Sequence, residues 1–116
     1  MTVSREGFPK KCRLSKPSEF RQVFSSRSRS VDSQFLVLAR QNSQDIARLG
    51  LAVSKRKIRA AVGRNRVKRL IRESFRKNQE KLAGLDIVVV SQNRISLSDN
   101  TVLLQSLDRH WNRIGR

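Results

Sequence analysis

The segment from Lys55 to Lys77, KRKIRAAVGRNRVKRLIRESFRK, constrains the fold more than any other part of the chain. Eleven of its 23 residues are Lys or Arg, and Glu73 is its one acid. At 100° per residue, Val67, Leu70, Ile71, Ser74 and Phe75 fall on one face of a helix. Asn65, Lys68, Arg69, Arg72 and Arg76 fall on the opposite face, and Arg64 and Arg66 flank the helix start. Such a helix packs its apolar stripe on a neighbour and presents a cationic ridge on the other side. A solvated helix face ordinarily mixes signs, so a ridge of one sign points to a polyanion. Arginine forks hold phosphate bidentately and stack on bases. Asn65 adds an uncharged donor and acceptor suited to a base edge or a 2′-hydroxyl.

The whole chain carries the same bias. It has 26 Lys+Arg against 9 Asp+Glu in 116 residues, a formal net charge of +17. Self-repulsion of that size opposes folding unless the partner is anionic, nucleic acid first and an anionic membrane second. Folding is therefore expected to be marginal without bound anions. The length suits one domain spanning 1–116, with residues 1–16 a basic, partly flexible segment. The hydrophobic share of 37% lies below the roughly 45–50% of globular chains, which allows one modest core. The single cysteine, Cys12, excludes an intramolecular disulfide and suits a reducing cytoplasm. Its neighbours Lys10, Lys11 and Arg13 are a setting that can lower a thiol pKa, although an incidental thiol is the simpler reading. No apolar run approaches the roughly 18 residues of a membrane span, and no signal peptide is evident.

The remaining elements follow from shorter patterns. Residues 17–26 read as a helix with Pro17 in its first turn and Phe20, Val23 and Phe24 on one face. Residues 25–34 read as a polar loop, with room for a short strand near Val31. Phe35–Arg40 and Arg48–Ser54 are strands, and the pair can form a hairpin. Ala60–Gln79 is the long helix, Gly84 marks a turn, and Leu85–Ser91 is a strand. Ser98 or Asp99 caps a last helix with a stripe of Leu104, Leu107, Trp111 and Ile114. The order α-β-β(-β)-α-β-α describes a small α+β single-sheet sandwich. The general rule makes a parallel crossover within it right-handed.

The run Gly63–Arg76, GRNRVKRLIRESFR, resembles the RNR signature helix of the bacterial ribonuclease P protein family. Arg13-Leu14, Phe20 and Val23-Phe24 resemble that family's N-terminal pattern, and Arg48–Lys55 its second long strand and basic turn. Asp86–Val90 and Leu107 with Trp111 resemble its later strand and last helix. The resemblance covers roughly residues 8–114. It implies a protein subunit of an endoribonuclease whose catalytic centre is RNA, and a left-handed βαβ crossover against the general rule. By position, Lys55, Arg56, Lys57, Arg64, Asn65, Arg66, Lys68, Arg69, Arg72 and Arg76 are expected to face the RNA subunit. The 5′ leader of precursor tRNA is expected in a cleft between the sheet and the first helix, among Phe20, Phe24, Leu36, Leu38, Ala52, Lys68 and Arg72.

Strand alternation supplies an independent view of that cleft. Leu36, Leu38 and Arg40 share one face of their strand, expected to be the open one; Phe35, Val37 and Ala39 share the other, with Phe35 in the core. Gly50, Ala52 and Ser54 form a face of small residues with room for an RNA strand. Phe20 and Phe24 either stack on unpaired bases or pack in the core. The chain departs from the family in Arg27, where relatives often carry glycine, and in Leu38, where many carry an aromatic residue.

No protein-borne catalytic group is expected. His110, the one histidine, reads as a helix-surface or packing residue, and the carboxylates lack metal-ligand spacing. Asp86 or Glu73 at most assists a hydrated Mg²⁺ held mainly by RNA. One protein per RNA subunit is expected. The alternative reading is a ribosomal-type or RNA-chaperone protein without a role in cleavage. DNA binding is disfavoured because the basic helix lies between strands rather than in a helix-turn-helix frame. A membrane-surface helix is disfavoured because the apolar face is narrow.

Overall fold

The computed structural model describes residues 10–92, 95, 97 and 99–115. The expectation for the N-terminal segment therefore lies outside the described residues up to position 9, and so does Ser98. A 3-10 turn at Lys10–Cys12 precedes helix α1 (Pro17–Phe24). Strands β1 (Ser28–Val31), β2 (Phe35–Gln41) and β3 (Arg48–Ala52) follow. Then come α2 (Ala61–Lys77), the one-turn α3 (Gln79–Leu82), β4 (Leu85–Ser91) and α4 (Asn100–Ile114). The α+β class with a single sheet is as the sequence implies.

β4 organises the sheet. Its run from Ile87 to Val90 is apolar without a break, the pattern of a strand covered on both faces. It takes an inner position in the order β1-β2-β4-β3. β2 pairs with it antiparallel, from Phe35↔Ser91 to Gln41↔Leu85. β3 pairs with it parallel, from Arg48↔Asp86 to Ala52↔Val90, across the α2 crossover. The expected hairpin of β2 with β3 does not form, because β4 lies between them. The hairpin is instead β1 with β2, closed by Asp32, whose Oδ1 accepts the Gln34 and Phe35 amides at 2.9 Å each. Four residues of the expected 25–34 loop are thus strand, at the place near Val31 where the sequence left room for one. On this edge only Ser30 turns inward, so small polar residues suffice.

One face of the sheet is sealed. Phe35, Val37, Ala39, Leu49, Ile87 and Val89 meet Val67, Leu70, Ile71 and Phe75 of α2 and Leu103, Leu107 and Trp111 of α4. Each large side chain buried there contributes about 1.5–3 kcal/mol. The apolar stripe of α2 falls where the 100° repeat puts it. Ser74 belongs to that stripe because its Oγ accepts the Trp111 indole N–H at 2.8 Å, and the Phe75 and Trp111 rings meet edge to face. Cys12 is buried in the same core, so its thiol is a packing group.

The stripe of α4 is rotated from the expected one. Leu103 is buried and Leu104 is exposed, while Ser106 and His110 turn inward beside Leu107 and Trp111. Their partners explain the rotation. His110 Nδ1 lies 2.7 Å from Ser30 Oγ, and Ser106 Oγ donates to Asp32 Oδ2 at 2.6 Å. His110 Nε2 faces Asp32 Oδ1 at 3.2 Å, out of line for a hydrogen bond. Asp99 caps α4, its Oδ1 accepting the Thr101 and Val102 amides. Gly84, at φ 88°, holds the left-handed turn between α3 and β4. The end of α1 at Phe24 and the break of α2 at Asn78 shorten both helices by a residue or two from their expected spans.

The opposite face is only half covered. α1 lies over the end carrying Leu38 and Val88, which it buries with Val23 and Leu14. Beyond it Val31, Leu36, Val90 and Ala52 lie side by side across all four strands, in register and partly open.

Candidate nucleic-acid interface

α2 holds the cationic ridge because its other face is locked into the core. Asn65, Arg69, Arg72 and Arg76 are exposed along it, and Lys68 is half-buried. Among the described residues, Arg69, Arg72 and Arg76 make no ion pair, so their charge is available to an external anion. Three other cations expected on the interface are partly occupied within the chain. Arg64 Nη1 donates to the Ile58 and Arg59 carbonyls at 2.9 and 2.8 Å, which folds the basic connector onto the helix. Arg66 Nη1 donates to Asn100 Oδ1 at 2.8 Å and ties α2 to the first turn of α4. Lys57 Nζ donates to the Ser91 carbonyl at 3.0 Å. Lys55 and Arg56 are exposed.

A cleft of about 230 Å³ adjoins the ridge, lined by Arg13, Leu14, Phe20, Leu49, Leu51, Lys68 and Arg72. It runs along the edge of β3, between α2 and the segment leading into α1. A bridge between Arg13 and Leu49, with the Leu14 amide donating to the Leu49 carbonyl at 2.9 Å, brings that segment to the edge. Lys68 and Arg72, one turn apart on α2, serve ridge and cleft together. The cleft is therefore an apolar floor with cations on its walls, suited to an unpaired nucleotide strand.

Three of the residues expected in the cleft, Phe20, Lys68 and Arg72, meet there. The others do not line it. Leu38 is 1% exposed beneath α1, so its departure from an aromatic residue falls in packing rather than on a contact surface. Leu36 and Ala52 belong to the open row of the sheet, and Phe24 is 44% exposed at the end of α1. The room expected above the small residues of β3 is filled at Gly50 by the ring of Phe20. Arg13 and Leu14 entered the sequence reading only as part of a family pattern, and Leu49 and Leu51 did not enter as site residues. Their placement depends on the edge pairing, which no local repeat announces.

No group of three or more His, Cys, Asp or Glu among the described residues is arranged to hold a metal. Asp86 is a poor ligand in any case, because Arg48 and Asn42 already take its oxygens. Glu73 is exposed on α2.

The model of the family described as Ribonuclease P matches residues 8–115. This chain belongs to the ribonuclease P protein family. The ribonuclease P protein component of Methylococcus capsulatus is 50% identical over 105 residues, 90% of this chain and 82% of that protein. The component of Thioalkalivibrio sulfidiphilus is 43% identical over 110 residues, 95% and 92% of the two chains. The solved ribonuclease P protein of Staphylococcus aureus superposes with a TM-score of 0.81 at 27% identity, covering 90% of this chain and 98% of that one. That of Thermotoga maritima superposes with a TM-score of 0.69 at 30% identity, covering 86% and 96%. As a ribonuclease P protein the chain is an RNA-binding component of a ribonucleoprotein endoribonuclease, and its partner is the ribonuclease P RNA. Among the described residues no helix is long and apolar enough to cross a membrane.

Proposed function

We propose that this protein works in the cytoplasm, one copy per RNA subunit, and binds two RNAs on adjoining surfaces. The exposed side of α2, from Asn65 to Arg76 with Lys55 and Arg56, holds the ribonuclease P RNA. The cleft between α2 and α1 holds the 5′ leader of precursor tRNA. The observation that carries this reading is the double duty of Lys68 and Arg72, which belong to the cationic helix and also wall the cleft opposite Phe20. Their ammonium and guanidinium groups reduce the repulsion between two polyanions brought side by side, and Phe20 and Leu51 offer apolar surface to an unstacked base. On this reading Mg²⁺ is held by the RNA, and the protein contributes position and charge.

A cleavage assay tests it. Precursor tRNA is incubated with ribonuclease P RNA at low Mg²⁺, with and without the protein. The protein should restore leader removal at the correct site and should do nothing without the RNA. Binding of RNA with no effect on cleavage would contradict the reading.

A further inference from the structure

We propose that Glu19, Arg48 and Asp86 form a clamp that fixes α1 on the sheet and thereby sets the position of Phe20 in the cleft. They are positioning residues for the bound leader, so the inference rests on the leader reading above. Arg48 Nε and Nη2 meet Asp86 Oδ1 and Oδ2 at 2.8 and 2.7 Å, a bidentate pair on a carboxylate 4% exposed. Asn42 Nδ2 donates to Asp86 Oδ1 at 2.9 Å and steadies it further. The remaining arm of the guanidinium, Nη1, reaches Glu19 Oε2 at 3.3 Å. The other oxygen of Glu19 accepts the Ser15 and Lys16 amides at 3.0 Å each. One chain of charged bonds thus runs from β4 through β3 to the first turn of α1 and the segment before it. The Lys16 and Ser15 amides, with the Arg48 charge beyond them, hold the Glu19 carboxyl below its ordinary value, so it stays ionised.

Phe20 is the next residue, and β3 receives its ring. Gly50 lies two positions from Arg48 on the same face of the strand. A Cβ there would stand 2.7 Å from Phe20 Cζ and 3.1 Å from Leu14 Cβ. The ring is held at its root by the clamped turn and at its tip by the bare backbone of Gly50. α1 needs such a device. It has eight residues and buries one of them, Val23, which is too little to fix its register by packing alone. The Glu19–Arg48 pair is half-buried and makes a single contact at 3.3 Å, so it adds modestly to stability and the clamp acts chiefly on position. Arginine is required because a lysine cannot bridge two carboxylates on separate elements while keeping the bidentate pair.

Reconstituted holoenzyme carrying Glu19→Gln, Arg48→Lys, both together, or Phe20→Ala would be titrated with precursor and mature tRNA, and each protein with the RNA subunit. Glu19→Gln and Arg48→Lys should each weaken precursor binding about fivefold. Mature tRNA and RNA-subunit affinity should stay within about twofold. The double variant should lose no more than either single change, because both break one clamp. Additive losses, or equal loss for mature tRNA or for the RNA subunit, would overturn the clamp. So would loss of precursor preference in Phe20→Ala with none in Glu19→Gln and Arg48→Lys. If Phe20→Ala also keeps full precursor preference, the leader reading itself fails and takes the clamp with it.

Discussion

The two faces of the sheet are finished in different ways. Against α2 and α4, residues such as Phe35, Val37, Ile87 and Val89 are fully buried, and Ser74 and Ser106 find hydrogen-bond partners inside. Against α1, burial stops at Leu14, Val23, Leu38 and Val88, and the row from Val31 to Ala52 is left partly open. The sealed face contributes the stability that lets the other remain unfinished. At the edge of β3 the apolar surface of Phe20 and Leu51 lies beside Lys68 and Arg72, a combination that suits an unstacked nucleic-acid strand.

The largest effect is expected where the contrast is broken from the sealed side. Phe35→Ala should lower unfolding free energy by about 3–5 kcal/mol, read by urea denaturation. Phe20→Ala, across the sheet, should cost about 1–2 kcal/mol, since a half-buried ring loses only part of its burial. A loss at Phe20 equal to that at Phe35 would erase the distinction between the faces.

A second effect comes from the polar network on the sealed side. Burial holds the His110 pKa below its ordinary 6.5, against the pull of the Asp32 carboxylate. Its folded pKa is depressed, so the unfolded chain takes up the proton first. Stability is full above about pH 6.5 and declines as pH falls through that value towards the folded pKa. The slope approaches about 1.4 kcal/mol per pH unit while only the unfolded form is protonated. His110→Asn should flatten the profile just below about pH 6.5, whatever it does to absolute stability. At Asp32 burial opposes ionisation, but the Ser106 hydroxyl and the Phe35 and Gln34 amides hold the carboxyl well below its ordinary 3.8. That contribution is present above about pH 3.8 and is lost as pH falls further towards the folded value.

The smallest effect on stability and a clear one on binding belong to the ridge. Arg69→Ala should move unfolding free energy by no more than about 0.5 kcal/mol. It should also reduce the salt dependence of RNA-subunit binding by about one phosphate's worth. A salt slope unchanged by the substitution would take Arg69 off the interface.

Much of this was legible in the chain because it depends on local repeats. The two faces of α2 are set by a 100° period that packing then respected, and β4 announced its central place by an unbroken apolar run. What escaped depends on distant pairing. SSRSRS carries no apolar alternation, so the sequence offered only room for a short strand near Val31, and the bounds of β1 come from its pairing with β2. The stripe spacing favoured Leu104, but Ser30 and Asp32, more than 70 residues away, turn Ser106 and His110 inward and rotate the helix so that Leu103 is buried instead. The ridge was readable as a set, but not the fact that Arg64, Arg66 and Lys57 spend donors within the fold. Arg48 looked like an ordinary strand residue, because its partners Glu19 and Asp86 lie 29 and 38 positions away.

The claim that two RNAs occupy two surfaces can be tested most directly by cross-linking. Cys12 is buried, so an introduced thiol can carry a photoreactive probe selectively. Leu51→Cys in the cleft and Arg69→Cys on the ridge would each be labelled and assembled with ribonuclease P RNA and precursor tRNA. The account predicts that the probe at position 51 reaches the leader and the probe at position 69 reaches the RNA subunit. Cross-links from both positions to the same RNA would contradict it.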